Sequence, residues 1–471
     1  MTGGRRATPP PPPAAAVYAD RQDASPPLAA PLADPGITSG PLRPAILRLA
    51  LPAVGTTLFQ VLFNVTDTFW VGRILGANAL AAVSLASFTV WALVAIGELV
   101  GVGLTAVAAR RHGERDRRAA AEVAGTGLWL ALGLAVLVAA GGLAGLPAIF
   151  RMMQTEGEVA ALARDFLVVQ VLGAFPVYGY FVVTAAFRSA GDTRTPFVLL
   201  GGSVLVNLLL DPLMIVGWGP VPALGVYGAA LATVLTRGLG FVVGIELLRR
   251  RGGLRLGFQP RVAGTILRIG TPAMLTGVLF SLIYMLLVRV VGDFGAPAIA
   301  ALGVGHKIEG LSYMICIGLG LAAETLVGQN LGAGLPARAR RAGWLTARIA
   351  ALPSAVLALV FLLVPETLVG AFSADPQVIH AGALYLRIAA LPQIAMAFEI
   401  VLEGALTGAG YTLWTMIAVV AFSAIRIPLA ALVAPSFGLA GVWWVLALTA
   451  VARAAAMTVL WHRGGWARAR A

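Results

Sequence analysis

The chain has 471 residues, of which 59% are hydrophobic and only 12% charged, and its mean hydropathy is +0.88. A soluble domain carries roughly twice that charged fraction, so the composition excludes a soluble globule. The net charge of +13 would suggest nucleic acid in a soluble protein, but the arginines stand between apolar runs and form no single basic face. Membrane topology accounts for them, and no nucleic-acid partner is expected.

Residues 1 to about 42 are rich in Pro, Ala and small polar residues and cannot bury enough apolar surface to fold, so a disordered cytoplasmic tail is expected. The tail lacks the continuous apolar core of a signal peptide, which leaves the first span as the insertion signal. Apolar runs then follow at about 46–72, 79–109, 119–146, 158–187, 195–217, 223–248, 262–291, 297–331, 342–367, 377–407, 412–434 and 438–461. A spanning helix needs about 20 mostly apolar residues, and continuous runs argue against the ten-residue alternation of a β-barrel. The expected fold is an all-α integral membrane protein of twelve transmembrane helices. Cys316, the single cysteine, lies inside an apolar run and is read as a packing residue.

Every second connection is basic: Arg110, Arg111, Arg115, Arg117 and Arg118, then Arg188 and Arg194, Arg249 to Arg251 with Arg255, Arg338, Arg340 and Arg341, and finally Arg463, Arg468 and Arg470. The alternate connections hold Arg73, Arg151 and the acids Glu156, Glu158, Asp293, Glu366 and Asp375. The positive-inside rule therefore places both termini in the cytoplasm.

The two halves resemble each other. RLALPAVGTTLF from Arg48 matches RIGTPAMLTGVLF from Arg268, GANALAAVSLA from Gly76 matches GAPAIAALGVG from Gly295, and FRSAGDT matches LTGAGYT, at offsets of 219 to 220 (for example 295 − 76 = 219). GVYGAALA from Gly225 matches GLAGVWWV from Gly438. This order predicts parallel six-helix repeats, residues 43–250 and 251–463, with a short basic C-terminus at 464–471 and a binding site between the halves.

A carboxylate in the hydrocarbon costs roughly 2.5–3.5 kcal/mol even on insertion scales, so each intramembrane acid is a functional candidate. Gln60, Asn64 and Asp67 fall at i, i+4 and i+7 and make one polar stripe of the first helix. Asn207 and Asp211 share a face of the fifth, beside Pro212. Two carboxylates and two amides facing one chamber suit a proton carrier or oxygen ligation of Na⁺; the bland alternative is water-exposed helix ends or structural pairs with arginines. Glu98, Glu309, Glu324, Glu399 and Glu403 are further intramembrane acids. His306 can share a face with Glu309, and Lys307 is the single lysine, with interfacial snorkelling as its alternative role. No second histidine or cysteine at ligand spacing accompanies His306, so zinc is not expected. Pro52 and Pro272 stand at equivalent places, either bending their helices or sitting harmlessly in a first turn. There is no Walker A sequence, and energy is expected from an ion gradient, with no other cofactor.

Six segments together resemble the multidrug and toxic compound extrusion (MATE) transporters: LPAVGTTLFQVLFNVTDTFWVGRILGANALAAVS, FRSAGDTRTP, NLLLDP, GVYGAALAT, LVGQNLGAG and RIP, in that order over residues 43 to 460. The resemblance implies a V-shaped pair of six-helix bundles that alternates between inward- and outward-facing forms and expels cationic amphipathic compounds in exchange for H⁺ or Na⁺. Asp67, Asn207 and Asp211 are similar to the N-lobe cation site of the DinF-like branch of the MOP flippase superfamily, and Thr233 matches a threonine lining that pocket. Bending at Pro52 would correspond to the family's first-helix switch. Glu399 and Glu403 do not fall at the spacing of a C-lobe sodium site. A monomer in a bacterial inner membrane is expected. Two rivals are a lipid-linked precursor flippase, for which Arg289, Lys307 and Arg426 are the obvious cationic residues, and an intramembrane enzyme using His306 and Glu309.

Overall fold

The protein is described by a computed structural model covering residues 36–152, 157–217, 219 and 222–469. Among these residues the regular elements are all helical. In chain order they are α1 (Leu42–Trp70), α2 (Ala77–Gly113), α3 (Arg117–Met152), α4 (the bent pair Gly157–Leu172 and Ala174–Ser189), α5 (Arg194–Val216), α6 (Gly225–Arg250), α7 (Pro260–Gly292), α8 (Ala296–Gly332), α9 (Pro336–Leu363) and α10 (the bent pair Pro376–Ala389 and Gln393–Gly408). The last stretch, Thr412–Arg463, runs for 52 residues and is interrupted at Gly438, whose φ of 60° and ψ of −155° break the helix. It divides there into α11 (residues 412–437) and α12 (residues 439–463). Nine stretches are by themselves long and apolar enough to cross a membrane, and the pairs bent by 51° and 61° raise this to eleven. The break at Gly438 supplies the twelfth.

The duplication read from the sequence is repeated in the backbone. Both α2 and α8 have 37 residues, and each starts after a glycine of positive φ, Gly76 at 83° and Gly295 at 90°. The bent pairs begin at Gly157 and Pro376, again 376 − 157 = 219 apart. Gly191 and Gly410, the glycines of the matched FRSAGDT and LTGAGYT segments, both take positive φ. A Cβ at such a φ is strained, so the turns closing α4 and α10 need glycine.

The halves are not packed as two separate six-helix cores. The first turns of α1 (Ala45, Ile46, Leu49, Ala50) belong to the core of the second half, around Leu319, Ala323 and Leu326. Reciprocally, Ile266 and Ile269 of α7 belong to the core of the first half, with Leu99, Leu104 and Val182. The later turns of each helix return to their own half: Phe59 of α1 stacks on Phe197 of α5 at 5.1 Å, and Leu287 and Val291 of α7 join Leu302 and Trp443. This exchange occurs at the ends carrying the basic connections. There, Gly103 and Gly270 lie so near the backbones of Ile266 and Leu99 that an added Cβ would stand 2.2 and 1.9 Å from a carbonyl oxygen. Gly113 and Gly332 meet Gln329 and Arg110 equally closely, at 2.0 Å.

Both chain ends strengthen this closure, and at the first of them the structure corrects an expectation. Residues 1–35 of the expected tail, like Glu156 and Arg470 of the charged connections, lie outside the described residues. Residues 36–42, however, are not disordered: Gly36–Ser39 forms a helical turn and Ile37 is fully buried against the second half. Arg338 donates to the Ile37 carbonyl at 3.1 and 3.3 Å and to the Gly40 carbonyl at 2.5 Å. One apolar residue in a polar stretch carries no periodic signal, and backbone carbonyls that receive an arginine are invisible in composition. Residues 464–469 fold back, with Gly465–Arg468 a 3₁₀ turn, Trp466 stacked on Trp461 at 4.0 Å, and Arg110 donating to the Ala469 carbonyl at 3.0 Å. Thus the N-terminal segment docks on the second half, while the C-terminal segment packs on its own half through Trp466 and is tied to the first by Arg110. Arg338→Ala removes hydrogen bonds from a charged donor worth roughly 1.5–3 kcal/mol each. Amide hydrogen exchange at residues 36–40 should accelerate by about tenfold or more; unchanged protection would show that Ile37 alone holds the segment.

Candidate ion-coupling and substrate site

The strongest constellation of polar residues lies between α1, α5 and α6, away from the basic ends. One helical turn places Asn207 and Asp211 on the same face of α5, both fully buried, and Asn207 Nδ2 donates to Asp211 Oδ1 at 2.9 Å. Asp67 enters from α1, where its Oδ2 accepts from Thr233 Oγ1 of α6 at 3.0 Å. The carboxyl groups of Asp67 and Asp211 are neighbours that act on each other electrostatically. Asp67 Oδ1, Asp211 Oδ2 and Asn207 Oδ1 are buried and receive no donor from the protein. Three donor-less hard oxygens on neighbouring residues, two of them from carboxyl groups, fit a proton or a small oxygen-seeking cation such as Na⁺.

Local backbone chemistry shapes this pocket. Immediately beyond Asp67 the helix widens into a π-turn, Val71–Leu75, before the break at Gly76. Such turns expose backbone groups and re-aim side chains, which sets the end of α1 apart from regular helix. Pro212 sits inside α5 directly after Asp211 and deletes one backbone hydrogen bond of that helix.

A residue absent from the sequence reading completes the pocket. Arg237 of α6 is 6% exposed, donates from Nη2 to Gln60 Oε1 at 2.5 Å, and lies over the rings of Phe63 and Tyr180 at 4.6 and 5.1 Å. It is electrostatically coupled to Asp67. The signal was present, because Arg237 stands in the middle of the apolar run 223–248 and the rule applied to intramembrane acids covers arginine equally. Two acids and one fixed guanidinium carry a net charge of −1 when both acids are ionised, so one monovalent cation neutralises the group.

The other predicted residues are distributed more widely. Gln60 donates to Asn64 Oδ1 at 3.1 Å, so the two amides pair with each other and Asn64, which is exposed, lies outside the bonds of the carboxyl pair. Both sit on the face of α1 that carries Thr57, whose hydroxyl bonds the Met314 carbonyl of the second half at 2.8 Å. They therefore point into the space between the halves, past the place where the halves touch. Glu98 of α2 is half-buried and couples to Arg188 and Arg237. Glu324 of α8, 3% exposed, couples to the same Arg188 and to Glu98 across the contact between halves. Pro52 lies in the third turn of α1, not the first, and its carbonyl accepts from Thr56 Oγ1 at 2.8 Å, as that of Pro272 accepts from Thr276 at 2.9 Å.

In the second half Glu309 is bound by the Tyr385 hydroxyl at 2.7 Å and by Gln393 Nε2 at 3.3 Å. His306 lies edge-on between Tyr284 and Tyr385. Lys307 and Arg289 are exposed, so the three cationic residues named for a flippase do not converge with the buried Arg426. Glu399 is held by Arg453 at 3.1 Å. Cys316 is fully buried, 3.4 Å from the Ser354 hydroxyl.

A duplicated all-helical membrane fold with polar pockets inside its bundles and closely crossed first helices defines a membrane transporter and not an enzyme. The chain belongs to the MatE family, whose model matches residues 52–213 and 272–432, each match starting at one of the repeated prolines. A probable multidrug resistance protein NorM from Thermotoga maritima is 31% identical over 90% of this chain and 93% of its own. Another probable NorM, from Pseudomonas aeruginosa, is 31% identical with 86% of each chain covered. The solved structure of a MOP superfamily transporter from Pyrococcus furiosus superposes with a TM-score of 0.86 at 24% identity, over 94% of this chain and 100% of the other, a likeness of fold.

Proposed function

We propose that the protein is a multidrug exporter that exchanges cationic amphipathic compounds for H⁺ or Na⁺ by alternating access, in the inner membrane of a bacterium with both termini in the cytoplasm. The observation that carries this reading is the set of three buried, donor-less oxygens on Asp67, Asn207 and Asp211. The names of the two NorM relatives support multidrug substrates. With the basic ends cytoplasmic by the positive-inside rule, the crossed and glycine-tight contact closes the cytoplasmic side, so the form described is outward-facing. In it, an external cation reaches Asp67 and Asp211 and displaces a cationic substrate from the same charge. Arg237 fixes the balance at one monovalent cation per cycle, which makes exchange for a singly charged substrate electroneutral.

The test is efflux of a fluorescent cationic dye from proteoliposomes of the full chain under an imposed proton or sodium gradient. One of the two gradients is expected to drive dye against its own gradient, naming the ion. Failure of both gradients with several cationic dyes, in vesicles shown to hold folded protein, would rule this reading out.

A further inference from the structure

The second half repeats the fold of the first but changes its chemistry at the corresponding place. At the offset of 219, Asn207 of α5 corresponds to Arg426 of α11 (426 − 207 = 219), and Asp211 corresponds to Ala430. The helix that supplies an amide and an acid to the first pocket therefore supplies a guanidinium and a methyl group to the second.

Arg426 is 2% exposed. Its Nε donates to Thr449 Oγ1 at 2.7 Å and its Nη1 to the Tyr284 hydroxyl at 3.4 Å, both neutral groups. Among the described residues no carboxylate forms an ion pair with it. Glu399 is engaged by Arg453, and Glu309 by Tyr385 and Gln393. Glu399 acts on Arg426 only through space, so the guanidinium has neutral hydroxyls as its hydrogen-bond partners and keeps donors that an incoming anion could occupy.

Beside Arg426 is a cavity of about 50 Å³ lined by Tyr284, Glu309, Tyr385, Trp443 and Arg453. Tyr284 and Glu309 are half-buried and form its more open side, while Trp443 lies deep, edge-on to Tyr385 at 5.1 Å. The volume matches a single carboxylate and not a whole drug. The forked guanidinium suits two carboxylate oxygens, and the aromatic walls suit a ring attached to them.

We propose that this cavity binds the carboxylate of aromatic carboxylic acids, with Arg426 as its anion-binding group and the half-buried Tyr284 against the ring. Glu309 also lines the cavity, with both of its oxygens engaged by Tyr385 and Gln393. The site is separate from the acid pocket and does not depend on ion coupling there.

The test is calorimetric titration of the full chain in detergent with benzoate, benzyl alcohol and benzylammonium. Benzoate is expected to bind at least tenfold more tightly than benzyl alcohol. Arg426→Gln should reduce it to the level of benzyl alcohol, and Arg426→Lys should leave an intermediate affinity. Equal affinity of benzoate and benzyl alcohol for the unaltered protein would overturn the proposal, even if Arg426→Gln fails to fold. So would undiminished benzoate binding in Arg426→Gln, or a preference for benzylammonium that disappears in Glu309→Gln, which would make the cavity a cation site. Asp211→Asn separates this proposal from the exporter reading, because benzoate binding should persist in that variant whether or not gradient-driven efflux does.

Discussion

Asp211→Asn is expected to abolish uphill export while leaving the protein folded. In the unaltered pocket two acids and Arg237 carry a net charge of −1, which one cation neutralises in each half of the cycle. With Asn at 211, Asp67 and Arg237 already balance, and neither a proton nor Na⁺ is needed to complete the pocket. For one-for-one exchange, a hundredfold ion gradient can sustain up to about a hundredfold substrate gradient, equivalent to about 2.8 kcal/mol. In proteoliposomes that accumulation ratio should fall to about one in the variant, with substrate moving only down its gradient. The near-isosteric amide retains the shape of the side chain and a group able to pair with Asn207, so thermal unfolding should change little. An Asp211→Asn protein that still concentrates dye would place the coupling group elsewhere, with Glu98 and Glu324 the next acids to replace.

Gly270→Val is expected to stop transport by a different route. A Cβ at Gly270 would stand 1.9 Å from the Leu99 carbonyl oxygen, and a backbone carbonyl inside a helix cannot move aside without moving α2. Strain is relieved most readily by separating α2 from α7 at the basic ends, which withdraws Ile266 and Ile269 from the core of the first half. Paired spin labels at exposed Arg117 and Ala337, on opposite halves at that face, should report longer distances than in the unaltered protein. Dye efflux should fall to background, because the form closed at the basic face is lost from the cycle. Unchanged distances together with normal efflux would mean that the contact is not required for alternation.

The span pattern was legible because a bilayer imposes length and apolarity on each helix, and the alternation of arginine-rich connections fixed their order. Repeated local segments also betrayed the duplication, since Gly76 and Gly295, or Gly191 and Gly410, are required by positive φ wherever the same turn recurs. Asp67, Asn207 and Asp211 could be singled out because charge in hydrocarbon is costly whatever the tertiary packing. By the same reasoning Arg237, an arginine in the middle of an apolar run, is legible as a candidate.

The class of fold, the number of spans, the duplication and the acids of the first pocket are thus set by local chemistry against lipid. Which polar groups meet is a matter of how the helices pack. Thr233 reaches Asp67 from 166 residues away, and Gln60 turns to Arg237 instead of to the carboxylates. The crossing of α1 and α7 into opposite cores and the docking of residues 36–40 on Arg338 were equally closed to the sequence, as was the pairing of Arg426 with the hydroxyls of Thr449 and Tyr284. These depend on distances between segments far apart in the chain, where helical periodicity specifies a face but not the partner it will find.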